Sequence, residues 1–312
     1  MTDISLIIPF HNRKELLPRL FEGIRRIEGC EVEVIFVDNN SEVSTRAVVQ
    51  DFINEPHTPN LTFKLLTELK AGSAAARNTG LDAAVGEYVY FFDSDDELTP
   101  SMLPAALDKA RKERADIVAV QINHAWDNGK IKPRRMTHSA DPRLHIVANN
   151  FATQSLFLRR KFAIEHGRWD ETLFYWNDFE LALRLLLAKP RIVWIEGTYH
   201  KIFRHNQSIT GDSFAKRVDN ILAAHEAVEK DIDNTRLDMT KKTSLKAALN
   251  CRKALYAGHV RHEGDIKAAY IIYNSIDRSA MTFFNRLHLK LLYCLSAWGV
   301  RGVYRLAQMT KI

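Results

Sequence analysis

Four apolar runs, each halted by turn-forming or polar residues, constrain what this 312-residue chain can fold into more than any other feature. Ile4-Ser5-Leu6-Ile7-Ile8 ends at Pro9, and the run from Val32 to Val37 breaks at Asp38-Asn39-Asn40-Ser41. Leu61 to Leu66 leads to Gly72, and Tyr88-Val89-Tyr90-Phe91-Phe92 runs straight into Asp93-Ser94-Asp95-Asp96. Largely apolar runs of this length suit strands covered on both faces. Helical patterns lie between them. Asn12 and Glu15 read as a capping box for a helix with Leu16, Leu17, Leu20 and Ile24 on one face. An alanine-rich helix follows Gly72, and another runs from near Pro100 to about Arg114, ahead of a fifth strand at Ile117 to Ile122. Strands alternating with helices predict an α/β, Rossmann-like fold with a mainly parallel sheet. Such sheets bind ligands outside the carboxyl ends of their strands. The loops at Phe10–Arg13, Asp38–Ser41 and Asp93–Asp96 are therefore expected on one rim.

The pattern loosens after residue 126. Asp127-Asn128-Gly129 reads as a hairpin turn, Asp178 to Lys189 as an amphipathic helix, and Ile192–Ile195 and Tyr199–Arg204 as short strands. From about Phe214 everything looks helical, which divides the chain into 1–213 and a helical region 214–312. Apolar and charged fractions of 46% and 26% fit a globular protein and exclude disordered and fibrous classes. No stretch approaches the ~18 apolar residues of a spanning helix, and the N-terminus lacks the features of a signal peptide. Cys30, Cys251 and Cys294 are scattered and odd in number, so a reducing, cytoplasmic setting is expected. The net charge of +6 is unevenly spread: from Lys216 onward there are 17 Lys and Arg against 9 Asp and Glu, and before it 27 against 29.

Two carboxylates one residue apart on a loop, as Asp93 and Asp95 are, can offer oxygen ligands to a hard cation such as Mn2+ or Mg2+. The same letters can also form a solvated turn that caps the next helix. Asp38, ending its strand, can accept from the N3–H of uracil or thymine or simply shape a turn. The small residues of Gly72-Ser73-Ala74-Ala75-Ala76-Arg77-Asn78-Thr79-Gly80 allow close helix–sheet packing, while Arg77 can reach a diphosphate. His259 and His262, three apart on a helix, read as a solvated face.

Taken in order, Ser5 through Asn12, Val37 through Ser41, Gly72 through Gly80 and Phe91 through Asp96 resemble the family 2 glycosyltransferases, which have the GT-A fold. The resemblance covers about residues 4–210 and implies a hexosyltransferase-type enzyme that inverts the sugar transferred from a nucleotide-diphosphate donor, most simply a UDP-sugar. It implies that Pro9, Phe10, Asn12 and Arg13 cradle the nucleoside, Asp38 bonds the base, and Arg77 approaches base or diphosphate. Asp93 would contact ribose, Asp95 would hold the metal, and Asp96 would bind metal indirectly or hold the acceptor. In Trp176-Asn177-Asp178-Phe179-Glu180, Asp178 aligns with the family's base, and Asn177 replaces the usual glutamate at the acceptor. Asn177 and Glu180 also read as a capping box. His200, Lys201 and Arg204 fall where the family contacts the diphosphate, with His200 a further metal candidate, and Asn206 to Thr210 as the closing loop. The acceptor implied is a glycan or lipid-linked glycan in surface polysaccharide synthesis. Asn177 keeps open an inactive nucleotide-sugar-binding homologue or partner subunit.

No acidic residue follows Asp277. Phe283, Phe284, Leu287, Leu291, Leu295 and Trp298 alternate with Arg278, Arg286, Lys290, Arg301 and Arg305. Such a segment suits peripheral contact with an anionic membrane, or a helix packed on the rest of the protein with ordinary basic residues outside. The acidic rim argues against a nucleic-acid partner.

Overall fold

The computed structural model describes residues 1–126, 128–197, 199–204, 214–279 and 281–309. The closing loop expected at 206–210 lies outside them. The chain begins with β1 (Ile4–Phe10), α1 (Leu17–Arg25), β2 (Val32–Asp38), α2 (Val43–Asn54), β3 (Leu61–Thr67), α3 (Ser73–Ala83) and β4 (Tyr88–Phe91). There follow α4 (Met102–Glu113), β5 (Ile117–Ala119), β6 (Ile122–Trp126), β7 (Ile131–Pro133), α5 (Pro142–Ala148), β8 (Leu156–Arg159) and α6 (Arg160–His166). Next come α7 (Asn177–Leu187), β9 (Ile192–Trp194) and β10 (Tyr199–Arg204). The remainder is helical: α8 (Val218–Asn234), α9 (Met239–His262), α10 (Ile266–Asn274), α11 (Phe283–Ala297) and α12 (Tyr304–Met309). Two compact units result, one of Met1–His138, Phe151–Phe174 and Ala188–His205, the other of Ser139–Asn150, Tyr175–Leu187 and Asn206–Ile312.

The first unit is built on a seven-stranded sheet in the order β3-β2-β1-β4-β8-β5-β9. It is parallel except for β8, which runs antiparallel to β4 and β5. Strand β8 escapes the sequence reading because it is four residues long and follows a 3-10 turn at Thr153–Ser155. The run read as one fifth strand is two. Its first half, β5, pairs in the main sheet, and β6 leaves to form a second sheet, β10-β6-β7. The β6–β7 pair is the expected hairpin, with Gly129 at φ +80° in its turn; Asp127 lies outside the described residues.

The chain steps outward from β1 to β2 to β3, then returns to the other side of β1 for β4. That reversal makes the carboxyl ends of β1 and β4 the switch point, where a crevice opens. Pro9 helps to open it. The Ile7 carbonyl accepts from the Phe92 N–H, so Pro9, two residues on, faces the same neighbour with no N–H to donate.

Two packing features hold the sheet. On β2 the buried Glu33 accepts from Ser5 and from the N–H groups of Val85 and Gly86, and pairs with Lys64 at 2.7 Å. Burial works to raise its pKa, but the hydrogen bonds from Lys64, Ser5 and Val85 prevail and hold it below the ordinary value. Helix α3 lies flush on the sheet: Ala74, Ala75 and Ala76 are buried, and a Cβ on Gly80 would stand 2.3 Å from Ile7 Cγ2. The small residues after Gly72 thus do serve close packing.

In the second unit α9 is the central helix, packed by α5, α8, α10, α11 and α12. Its fully buried Arg252 lies 3.8 Å from the Phe179 ring centroid and 4.5 Å from that of Trp176, and donates to the Ile146 carbonyl. Planar guanidinium stacking lets a cation sit in an apolar core. Burial lowers its pKa, an effect opposed by Tyr256 and the Asp178 carboxylate.

Candidate active site

The rim is laced from loop to loop. Asn12 and Arg13 take left-handed conformations (φ +53° and +60°), so α1 begins at Leu17 rather than after Asn12. The expected capping box does not form. Asn12 Oδ1 instead accepts from the Glu42 N–H at 2.8 Å, and the Asn12 N–H donates to Ser41. This ties the loop after β1 to the loop after β2. Asn39 ties in a third, donating to the carbonyls of Glu68 and Lys70 and accepting from the Gly72 N–H. Phe10 does not face outward; its buried ring packs edge-on against Phe36 in the core. Pro9 and Phe10 are strand residues, which leaves Asn12 and Arg13, of the four expected here, with side chains on the loop beside the exposed His11. Asp38 is buried at the tip of β2, accepting from the Ser41 N–H at 2.9 Å and from Arg46 at 3.0 Å.

The three aspartates after β4 fall into distinct environments. Asp93 accepts from Arg77 at 2.6 Å and from Gln154 at 2.8 Å. Arg77 is itself buried, stacked 4.3 Å over Trp169 and donating to Ser73, so its charge is directed at Asp93. Asp95 remains 20% exposed and pairs with Arg13 at 3.2 Å, its carbonyl accepting from Arg19. Asp96 is 2% exposed and accepts from Gln154 at 2.7 Å and from the Phe203 N–H at 2.8 Å. Burial, then repulsion from Asp95 and Asp93, pushes its pKa well above the usual carboxylate range. Asp96 therefore anchors the loop to β10, whereas Asp95 looks outward from it.

Strand β10 completes the back of the site. Glu97 and Lys201 exchange backbone hydrogen bonds and pair through their side chains at 2.6 Å. The structure places His200 beneath the loop, fully buried between Tyr90 and Phe92, with Nδ1 accepting from the Thr99 N–H. Burial drives its pKa down to about 3, so it is a neutral ring in the packing. Arg204 ends β10 opposite Trp126; after burial, its charge is the next influence that lowers His124 to about 4.

Asp178 and Asn177 belong to the second unit, in the first turn of α7. Glu180 does not close a capping box with Asn177, because it is held by Arg184 at 2.6 Å, and Asn177 is already the first helical residue. Asp178 Oδ1 accepts from the Phe179 N–H at 2.9 Å.

Gln154 was invisible in the sequence: nothing in Ala152-Thr153-Gln154-Ser155 marks it, yet it joins Asp93 to Asp96. Arg19 was equally hidden, stacked 3.4 Å over Phe203. Asn39 could have been found, since it stands within the turn that ends β2.

Among the described residues no cluster of three or more His, Cys, Asp and Glu is arranged to hold a metal ion. Asp93 and Asp95 nonetheless supply the hard oxygen donors that Mn2+ or Mg2+ prefers, and such ions commonly take their remaining ligands from substrate phosphates and water.

Residues 5–176, more than half of the chain, match the family described as Glycosyl transferase family 2. The chain belongs to that family. This glycosyltransferase is 24% identical over 273 residues to a GalNAc(5)-diNAcBac-PP-undecaprenol beta-1,3-glucosyltransferase of Campylobacter jejuni, covering 86% of each chain. It is 26% identical over 234 residues to the amylovoran biosynthesis glycosyltransferase AmsB of Erwinia amylovora, covering 68% of this chain and 75% of that one. Among solved structures, S. aureus TarS in complex with UDP-GlcNAc superposes with a TM-score of 0.70 at 17% identity, over 98% of this chain and 90% of the other. A mannosyltransferase of Pyrobaculum calidifontis in complex with GDP-Man and Mn2+ gives 0.56 at 17%, over 95% and 86%. The family 2 glycosyltransferase thus has the GT-A fold its strand and loop order implied.

Proposed function

We propose that this glycosyltransferase is inverting and metal-dependent, moving a sugar from a UDP-sugar to a hydroxyl of a glycan or lipid-linked glycan during surface polysaccharide synthesis. The observation that carries the reading is the restrained, outward-facing pair Asp93 and Asp95 at the switch point of a family 2 sheet. The relatives act on an undecaprenol-linked glycan and in amylovoran biosynthesis by name, and TarS binds UDP-GlcNAc; these support the donor and acceptor classes. A place at the cytoplasmic membrane face goes with such an acceptor.

Asp38, with lone pairs left on both oxygens, accepts the uracil N3–H. Asn12 and Arg13 flank the nucleoside, and Asp93 receives the ribose hydroxyls. Asp95, with Asp93, holds Mn2+ or Mg2+, which when bound supplies charge that stabilises the leaving diphosphate. No protein acid is then needed at the leaving group. Asp178 takes the acceptor hydroxyl proton as that oxygen bonds to the anomeric carbon. The anomeric C–O bond breaks, its electron pair leaves with the diphosphate, and one displacement inverts the centre. The test is nucleotide release from a panel of UDP- and GDP-sugars with a glycan acceptor, with and without Mn2+. Metal-dependent release of UDP, with an inverted linkage in the product, is expected; binding of UDP-sugars with no release would leave only a binding protein.

A further inference from the structure

Helix α11 is apolar on two opposite sides. Its inner side, Leu289, Leu292 and Ser296, is buried within the second unit. Its rotation is fixed there by contact with α9, since a Cβ on Gly258 would stand 2.4 Å from Ser296 Cβ and 2.6 Å from the Tyr293 carbonyl. At about 100° per residue, Phe283, Leu287 and Leu291 form a stripe on the far side, continued by Trp298 just past the helix, with Phe284 at its border. All five are between 48% and 77% exposed. Arg286 and Lys290 line one edge of this stripe, also exposed, and no Asp or Glu occurs from 278 to 312.

We propose that this outer face of α11 docks the protein on a lipid surface bearing anionic headgroups. Aromatic and branched aliphatic side chains with a basic margin are what an interfacial helix needs: the rings enter the headgroup–acyl boundary while Arg286 and Lys290 stay with the phosphates. No helix among the described residues is long and apolar enough to cross a membrane, so contact through this face is along the surface. A second copy of the chain suits the face poorly, because self-pairing would bring Arg286 and Lys290 against their own kind with no acid to neutralise them.

The inference deepens the lipid-linked acceptor reading, but its test uses neither donor nor acceptor and so fails or succeeds separately. The full chain is sedimented with phosphatidylcholine vesicles and with vesicles containing phosphatidylglycerol. Binding to the anionic vesicles is expected, weakened by salt. The combined variant Phe283→Ser, Phe284→Ser, Leu287→Ser should lose roughly tenfold or more of it. Arg286→Glu with Lys290→Glu should weaken it roughly tenfold on anionic vesicles while leaving residual binding to neutral ones unchanged. Because all five side chains are exposed, unchanged thermal unfolding certifies the fold. Absence of binding by the intact protein, equal binding to neutral and anionic vesicles, or a dimer in solution that the serine variant dissolves would each overturn the proposal.

Discussion

Around Asp93, Asp95 and Asp96 the polar groups of the first unit hold one another in place, through Arg77, Gln154, Arg13 and the Phe203 N–H. On the outer side of α11, Phe283, Leu287, Leu291 and Trp298 are largely exposed, with nothing among the described residues burying them. The two regions suit different tasks. Directed hydrogen bonds on rigid strand ends fix where charges stand to within a fraction of an ångström, as phosphate and metal chemistry require. An apolar stripe with a basic margin sets no such geometry and suits a fluid partner. Substitutions should therefore be costly at the first and nearly silent for folding at the second.

The largest effect asks whether the second unit contributes chemistry beside its outer face. Asp178→Asn should cut transfer by roughly 100- to 10,000-fold while donor affinity, measured by calorimetry, stays within about threefold; full transfer by this variant would remove Asp178 as the base. Gly80→Ala should destabilise the first unit by about 1–3 kcal/mol, because its Cβ would stand 2.3 Å from Ile7 and the rim's helix would have to lift. Chemical denaturation measures this. Gln154→Leu removes a donor shared by Asp93 and Asp96, and should cost about 1–3 kcal/mol and raise the donor KM. An unchanged KM would mean that Gln154 only packs.

Acid sensitivity sharpens the contrast again. The folded-state pKa of Glu33 is depressed, so its contribution is present above the ordinary carboxylate pKa and is lost as pH falls through the folded value. Lys64→Met removes the cation and lifts that folded value. The acid-unfolding midpoint followed by circular dichroism should therefore move to higher pH, with little change at pH 7 and above beyond the lost pair. The smallest effect belongs to α11: Leu291→Ser should alter stability by no more than about 0.5 kcal/mol and leave transfer to a soluble acceptor unchanged. A large loss would mean that the stripe is covered after all.

What could be read from the letters follows from how local each signal is. Strands β1, β2 and β4 are largely apolar runs, broken only by Ser5 and Glu33, and each announces the polar loop at its end, so the rim with Asp38, Asp93 and Asp95 was legible. Strand β8 and the split of β5 from β6 were not, because three or four residues carry too little periodicity and their pairing is settled by distant partners. The same limit hid Gln154, whose role exists only once β8 brings the segment beside the aspartates. Neither capping box forms: Asn12 bonds across to Glu42, a tertiary contact, and Glu180 is held one turn on by Arg184 of the same helix. Within the acidic cluster, sequence alone could not separate a buried anchor from a carboxylate left partly exposed; exposure and the Phe203 contact divide Asp96 from Asp95.

The most direct test of this division is UDP release by Asp95→Ala against the unaltered enzyme over a Mn2+ titration. Release by the unaltered enzyme should rise with Mn2+, and Asp95→Ala should fall below it by roughly 100-fold or more at every concentration, with its fold intact by circular dichroism. A variant that keeps metal-dependent release at the unaltered rate would contradict it.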